Sequence, residues 1–149
     1  MRLVLCERQE LENPEVTIAY REMTANVTRV AEFVRSVDQT VLCKKESEEV
    51  AVPVSDIFYV ESVDKKAFVY CESEVFQSGF KLYELENILM QAGFVRISKS
   101  AILNLEKLKG VKTLVNSRLE AILTNGERVC VTRKYLKDIK EALLRRNGR

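Results

Sequence analysis

Four residues that suit the binding of a polyanion are concentrated in one short stretch, residues 94–104. The stretch supplies two cations and two hydroxyls, from Arg96, Ser98, Lys99 and Ser100. It contains no carboxylate, and apolar residues on both sides of the four can anchor it to a core. Short hydroxyls and long cations on a fixed base are suited to the phosphate backbone of a nucleic acid. The residue types therefore indicate a surface that contacts DNA.

A second cluster of the same kind lies nearer the C-terminus, at Thr132, Arg133, Lys134 and Tyr135. Arg133 stands at the N-terminal end of a predicted helix, where the helix dipole disfavours a cation. Because the position is unfavourable for a cation, it indicates that Arg133 has a functional role. Lys134 is a candidate phosphate contact, whereas Tyr135 suits either a phosphate contact or the core of the last helix. For Lys99, in the first cluster, the alternative interpretation is an ordinary solvated lysine.

The charge of the chain is divided unevenly along its length. Its 149 residues carry a net charge of +2, but residues 1–97 hold 11 Lys and Arg against 17 Asp and Glu, a net charge of −6. Residues 98–149 hold 13 Lys and Arg against 5 Asp and Glu, a net charge of +8. A basic C-terminal third is typical of a protein that binds nucleic acid or a membrane surface. Basic residues that only solvate a surface explain the charge equally well.

The composition disfavours most catalytic and metal-binding chemistry. The chain has no histidine, which is the commonest general base and metal ligand. Its four cysteines are far apart without a CxxC pair, so we expect free thiols rather than disulfides or a zinc site. Asp56, Glu61 and Asp64 have no nucleophile or metal motif beside them and are interpreted as scaffold. We therefore expect no enzyme activity, no cofactor and no metal.

Apolar patterning divides the chain into two predicted units. Residues 2–6 and 16–20 are predicted strands, and apolar residues at helical spacing after Thr24 predict a helix to about Val37. This strand-strand-helix unit, residues 1–39, is too small to fold alone. We expect it to pack on the rest of the chain or on a second copy, and we predict that it mediates self-association.

Residues 40–149 form the second predicted unit, which is mostly β. Strands are predicted at residues 40–44, 50–54, 56–62, 67–71, 75–77, 108–115, 118–124 and 128–132. Residues 81–91 predict a helix with Leu82, Leu85, Glu86 and Leu89 on one face. Gly93 is predicted to stop this helix, and residues 135–144 predict a closing helix. Asn125-Gly126 predicts a two-residue hairpin turn.

The order of these motifs also carries a family resemblance. From about Val50 to the C-terminus, the chain resembles the LytTR-type DNA-binding domains of bacterial transcription regulators. Members carry a phenylalanine, an arginine, a His/Ser-Lys-Ser triplet and an asparagine, matched here by Phe94, Arg96, Ser98-Lys99-Ser100 and Asn104. Further matches in the same order are Tyr59-Val60-Glu61-Ser62, Lys81-Leu82-Tyr83-Glu84-Leu85-Glu86, Asn125-Gly126 and Thr132-Arg133-Lys134-Tyr135. The departure is Ser98, where many members have histidine.

The resemblance implies an elongated α+β domain, mostly β, that places loops rather than a recognition helix in the DNA. The implied function is a sequence-specific transcriptional regulator that reads the major groove, as a short stand-alone family member without a receiver domain. Lys99 and Arg133 match positions whose side chains reach base edges in the family. The other expected DNA contacts are Arg96, Ser98, Ser100, Lys134, Tyr135, Lys65, Lys66 and Lys81. Lys81 opens a helix whose amides suit a phosphate, and Asn104 is expected to fix its own loop through backbone bonds.

Double-stranded DNA is the implied partner, bound by a homodimer on repeated half-sites. Some short relatives are encoded beside a membrane protein that restrains them, so a membrane protein is an implied partner too, and no small-molecule substrate is expected. The alternative is a basic protein-interaction or membrane-surface module without specific DNA binding. The closing helix lacks Trp and Phe, which argues against membrane insertion. Without a signal peptide or an 18-residue apolar run, the chain is expected to be cytoplasmic, with residues 145–149 as a frayed basic tail.

Overall fold

Two antiparallel sheets and three α-helices make up the computed structural model, which describes residues 1–146 without the side chains at 117, 145 and 146. The strands of the larger sheet are β1 (Thr40–Lys45), β2 (Glu48–Pro53), β3 (Tyr59–Val63), β4 (Lys66–Tyr70), β5 (Val75–Ser78), β6 (Phe94–Ser98) and β7 (Ala101–Asn104). Their spatial order is β2-β1-β5-β4-β3-β7-β6. Every neighbouring pair in this sheet is antiparallel.

The smaller sheet follows in the chain and has the order β10-β9-β8, where the strands are β8 (Leu108–Thr113), β9 (Leu119–Leu123) and β10 (Arg128–Val131). The helices are α1 (Ala25–Asp38), α2 (Leu82–Leu89) and α3 (Leu136–Arg146). The mostly β architecture with a central and a C-terminal helix is therefore confirmed. Gly93 also ends the central helix as predicted, because its φ of 87° is left-handed and follows the single 3₁₀ turn after α2.

Two apolar cores hold these elements together. The first lies between the larger sheet and α2, where Leu85 and Leu89 are fully buried against strand residues such as Val60 and Val69. The second lies between strands β6 and β7, the smaller sheet and α3, and it includes Ile97, Leu103, Leu123 and Ile139. Alternation in the strands supplies these cores, since Val41 and Cys43 point inward while Leu42 between them is exposed. Strands β6 and β7 thus contribute to both cores.

Helix α1 packs on the body of the chain. Thr24 caps it by accepting a hydrogen bond from the amide of Val27 at 3.4 Å, as its position in the sequence suggests. Its Arg29 forms an ion pair with Glu106 at 2.9 Å, and its Arg35 donates to the carbonyl of Gln91 at 3.4 Å. The predicted N-terminal helix is confirmed, and these contacts attach it to elements of the second predicted unit.

The two strands predicted at residues 2–6 and 16–20 are wrong. Within the described structure, residues 1–24 form no strand, and nearly all of their side chains are exposed. Their hydrogen bonds, such as Arg8 to Glu10 at 2.9 Å, join near neighbours. Alternation predicts which side of a strand turns to the core, but a strand forms only where another strand satisfies its backbone groups. This segment has the alternating pattern but no partner strand among residues 1–146.

Two smaller predictions also need correction. The hairpin between β9 and β10 has a three-residue loop, residues 124–126, rather than a two-residue turn, because the amide of Leu123 donates to the carbonyl of Glu127. Gly126, with a φ of 89°, takes the left-handed position that such a loop requires. The last helix continues to Arg146, so residues 145 and 146 are helical, and residues 147–149 lie outside the described residues. No helix in residues 1–146 is long and apolar enough to cross a lipid bilayer.

Candidate nucleic-acid interface

Three connections lie at the same end of the larger sheet, and we call this end the loop edge. It comprises the β3–β4 turn at residues 64–65, the β6–β7 turn at residues 99–100, and residues 79–81 after β5. The strand register places them together, since Val63 pairs with Lys66, Ser98 with Ala101, and Ala67 with Ser78. The amide of Ser62 also donates to the carbonyl of Ser100 at 2.7 Å. Four of the predicted contact residues are exposed lysines on this edge: Lys65, Lys66, Lys81 and Lys99.

The second basic cluster is attached to the loop edge through a bulge in β6. Arg96 pairs with Ile102 but Ser98 pairs with Ala101, so Ile97 is an extra residue on its strand. The side chain of Ile97 is fully buried, and its carbonyl accepts a hydrogen bond from the amide of Thr132 at 2.9 Å.

The hydroxyl of Thr132 lies 3.4 Å from the same carbonyl of Ile97. Arg133 follows directly, exposed, as the first residue of a 3₁₀ turn that leads into α3. The structure therefore brings together the two clusters that lie far apart in the sequence.

The β6–β7 turn is organised by its own serine and by Arg96. The hydroxyl of Ser98 accepts a hydrogen bond from the amide of Ser100 at 3.2 Å, which closes the turn around Lys99. The side chains of Lys99 and Ser100 are exposed, whereas Ser98 is half-buried. Lys99 and Ser100 thus project from a turn whose backbone is held from inside.

Arg96 differs from the other predicted contacts because its guanidinium has partners within the chain. Its Nε donates to the carbonyl of Ser98 at 2.8 Å, and its Nη2 donates to the carbonyl of Lys99. Its Nη1 forms an ion pair with Glu86 of α2 at 3.2 Å. Glu86 was not predicted as a site residue, although a carboxylate on the otherwise apolar face of α2 was a signal for it. The sequence alone gave no comparable signal for Ile97.

The remaining predicted residues take different positions around this edge. Lys65 and its neighbour Asp64 both have positive φ, 66° and 51°, which matches a two-residue type I′ turn. The backbone amide of Lys81 donates to the carboxylate of Glu84 at 3.1 Å. A phosphate contact at this helix start, through the exposed Lys81 ammonium or the first amides of α2, stays a prediction.

Lys134 and Tyr135 follow Arg133 at the start of α3. The Nζ of Lys134 lies 5.5 Å from the centre of the Tyr135 ring, and Tyr135 is half-buried. Tyr135 lines an open cleft of about 530 Å³ between the helices and β6, with Arg96 also on its wall. The Tyr135 ring thus lies partly in the cleft and next to the basic cluster.

Asn104 fixes the loop after β7, as its position in the sequence predicts. Its side-chain amide donates to the carbonyl of Ile57 at 2.8 Å, and its side-chain oxygen accepts from the amide of Glu106 at 3.0 Å. Asn104 is buried, so it stabilises the scaffold behind the loop edge. Among residues 1–146, no group of three or more Cys, Asp or Glu side chains is arranged to hold a metal ion.

The family model and a solved structure that match this chain indicate the same family. The model of the LytTr DNA-binding domain matches residues 47–144. A LytTr DNA-binding domain from Bacillus cereus has a similar structure, with a TM-score of 0.67 and 29% sequence identity over 71% of this chain and 97% of that one.

Sequence relatives include two sensory transduction proteins LytT. The Enterococcus faecalis protein is 32% identical over 62% of this chain and 38% of its own length, and the Bacillus anthracis protein is 30% identical over 83% and 52%. This chain therefore spans about half or less of those relatives. A Staphylococcus aureus protein named as an HTH-type transcriptional regulator is 30% identical over 82% of this chain and 84% of its own length.

The family match covers most of the chain, including both basic clusters and the strands that carry them. The solved domain is similar in overall fold to this chain. The chain belongs to the LytTr DNA-binding domain family.

Proposed function

We propose that this chain is a sequence-specific transcriptional regulator that reads the major groove of DNA through its loop edge. Lys99 and Arg133 are the proposed base-reading side chains. Arginine donates two parallel hydrogen bonds to guanine, and lysine donates to the same acceptors as a point charge. The proposed phosphate contacts are Ser98, Ser100, Lys134, Lys65, Lys66, Lys81 and Tyr135.

The observation that carries this proposal is the hydrogen bond from Thr132 to the carbonyl of Ile97. It connects the segment before the exposed Arg133 to the strand that leads into the exposed Lys99 turn, at the fully buried Ile97, so both clusters are attached to β6. A fixed spacing between two base-reading side chains is what selective recognition of a sequence requires, because each must meet its base at the same time. Basic loops without a fixed spacing between them would bind any duplex, whatever its sequence.

Selection of bound sequences from a pool of random duplexes tests the function directly. We expect a recurring sequence motif to be enriched. The enriched duplex should then bind much more tightly than a scrambled duplex of equal length. The experiment is repeated with a variant that combines Lys99→Ala and Arg133→Ala, which removes both proposed base readers. Loss of the motif in that variant supports the proposal. Equal retention of all duplexes by the unaltered chain would instead favour the basic interaction module.

We also propose that the chain acts in the cytoplasm as a homodimer on repeated half-sites, through its first residues. Helix α1 is packed on the domain, whereas residues 1–24 before it expose several large apolar side chains. The side chains of Leu3 and Leu5 are 82% and 85% exposed, although their apolar surface favours burial. A second copy of the same segment supplies a matching partner, because a two-fold contact is self-complementary.

Sedimentation equilibrium tests the dimer. The full chain is compared with a form that begins at Thr24, which keeps the cap of α1, and with the full chain carrying Leu3→Ser and Leu5→Ser. We expect the full chain to sediment as a dimer and both altered forms as monomers. The same mass for all three forms would refute a role for this segment in self-association.

A further inference from the structure

We infer that Glu86 and Arg96 act as a positioning pair, which holds the β6–β7 turn in the shape needed for DNA without touching the DNA. The inference rests on the proposed function and changes the role expected for Arg96. Its sequence neighbours suggest a phosphate contact, whereas its three hydrogen bonds point into the chain.

All three nitrogens of the Arg96 guanidinium have a partner within the chain. Nε and Nη2 donate to the carbonyls of Ser98 and Lys99, and Nη1 meets the carboxylate of Glu86. Two successive carbonyls of a two-residue turn are therefore bound by one planar group. Lysine has a single charged nitrogen and lacks the fixed fork that makes these bonds together.

Burial makes this arrangement rigid. The Arg96 and Glu86 side chains are 21% and 30% exposed, so water screens their attraction less than at the open surface. Glu86 belongs to α2, whose Leu85 and Leu89 are fully buried in the first core. The turn is thus tied through Arg96 to a helix that cannot move independently of the core.

The hydrogen bonds of Arg96 also weaken the repulsion between the carbonyl oxygens of the turn and a DNA phosphate. Carbonyl oxygens carry partial negative charge and disfavour the approach of phosphate. Arg96 binds the carbonyls of Ser98 and Lys99 from inside, which leaves the exposed Lys99 side chain as the cation of this turn. Because the charge of Arg96 is matched by Glu86, the pair adds little to the net attraction for DNA.

Substitution of Glu86 separates positioning from simple charge, because the two roles predict opposite signs. Removing a carboxylate near a polyanion-binding surface strengthens binding when the carboxylate acts only through its charge. If Glu86 holds Arg96 in place, the same change weakens binding to the preferred sequence. Glu141→Gln is the matched control, since Glu141 lines the same cleft as Glu86 and is not bonded to Arg96.

The first measurement needs no DNA. Nitrogen-15 relaxation of the full chain reports the order of the Lys99 and Ser100 amides in the unaltered protein and in Glu86→Gln, Arg96→Lys and Glu141→Gln. We expect order to fall at these two amides in the first two variants, with the 64–65 turn unchanged, and to persist in Glu141→Gln. Unchanged order in Glu86→Gln would overturn the inference, whether or not the chain selects a DNA sequence.

The second measurement titrates the same proteins against the selected and a scrambled duplex over a range of salt. We expect Glu86→Gln and Arg96→Lys to weaken binding to the selected duplex by about tenfold, comparable with the loss of one base-reading side chain. Arg96→Lys should bind the scrambled duplex about as the unaltered chain does, and Glu86→Gln should bind it no more weakly, because this variant has lost a negative charge. Tighter binding of Glu86→Gln to the selected duplex, as by Glu141→Gln, would overturn the inference. Absence of selection by the unaltered chain would contradict the proposed function, and the relaxation result would then decide the inference.

Discussion

The amide of Thr132 donates a hydrogen bond of 2.9 Å to the carbonyl of Ile97, across a gap of 35 positions in the sequence. The bulge at Ile97 exposes this carbonyl to a second chain segment rather than to β7, the strand next to it. One bond therefore connects the turn that carries Lys99 with the turn that carries Arg133.

Loss of the Thr132 amide should separate the two clusters. Thr132 has a φ of −78° and a ψ of 149°, which proline accommodates, so Thr132→Pro removes the donor with little backbone strain. We expect a loss of about 1–3 kcal/mol in unfolding free energy, because the buried carbonyl of Ile97 loses its partner. Selective DNA binding should fall as well.

Thr132→Val is the control for this change, since it keeps the amide and removes the hydroxyl. Urea unfolding and a duplex titration of both variants provide the measurements. We expect Thr132→Val to lie close to the unaltered chain. Equal effects of the two substitutions would show that the hydroxyl, and not the amide, carries the connection.

Arg133 and Lys134 should differ in how their loss depends on the DNA sequence. Arg133→Ala should cost about 1–3 kcal/mol at the preferred site and relax the preference at one base position. Lys134→Ala should weaken all duplexes by a similar factor and reduce the salt slope by about one. Fluorescence anisotropy with the selected and scrambled duplexes makes the comparison. A uniform loss in both variants would make Arg133 a phosphate contact only.

Binding should depend steeply on salt, because the basic C-terminal third and the loop edge place six exposed cations near one another: Lys65, Lys66, Lys81, Lys99, Arg133 and Lys134. Each neutralised phosphate contributes about −0.9 to the slope of log affinity against log salt concentration. If about five phosphates are contacted, the slope is about −4 or steeper. A duplex titration between low and moderate salt gives the slope, and a value near zero is incompatible with a DNA-binding loop edge.

The four thiols should fall into two classes of reactivity. Burial raises the pKa of Cys43 to about 11, and burial, assisted by nearby Asp56, raises the pKa of Cys71 to about 11. At pH 8, only about one in a thousand of these two thiols is then the reactive thiolate. We expect Cys6 and Cys130, which are exposed, to react with a thiol reagent first.

A variant with Cys6→Ser and Cys130→Ser should lose the fast phase and keep the slow one. The raised pKa also sets the sign of a pH effect. The unfolded chain releases these two thiol protons at lower pH than the folded chain, so unfolding free energy should fall as pH rises from about 9 towards 11. Thermal unfolding over that range measures it. Four thiols reacting at one rate would contradict the burial of Cys43 and Cys71.

Local sequence was sufficient for most of the elements. Alternation placed strands β1–β5 and β8–β10 within a few residues, and helical spacing with Gly93 placed α2, because burial on one face and a left-handed stop are properties of short segments. No strand bounds were predicted for β6 and β7, which lie within residues 94–104. The residue types of Lys99 and Arg133, with the charge division, also identified where to look for the interface. Two of the motifs that resemble the family, Ser98-Lys99-Ser100 and Thr132-Arg133-Lys134-Tyr135, lie in these clusters.

Only the tertiary structure decided which of these residues meet. The bulge at Ile97 and the bond to Thr132 join segments that no local pattern connects, and the inward turn of Arg96 depends on Glu86 of a different element. The N-terminal segment shows the converse, since residues 16–20 alternate like a strand and yet remain unpaired. Periodicity is a property of one segment, whereas a hydrogen bond needs a partner brought near by the fold. The sequence therefore determined the elements and their chemistry, and the packing of β6 against the segment after β10 determined the site.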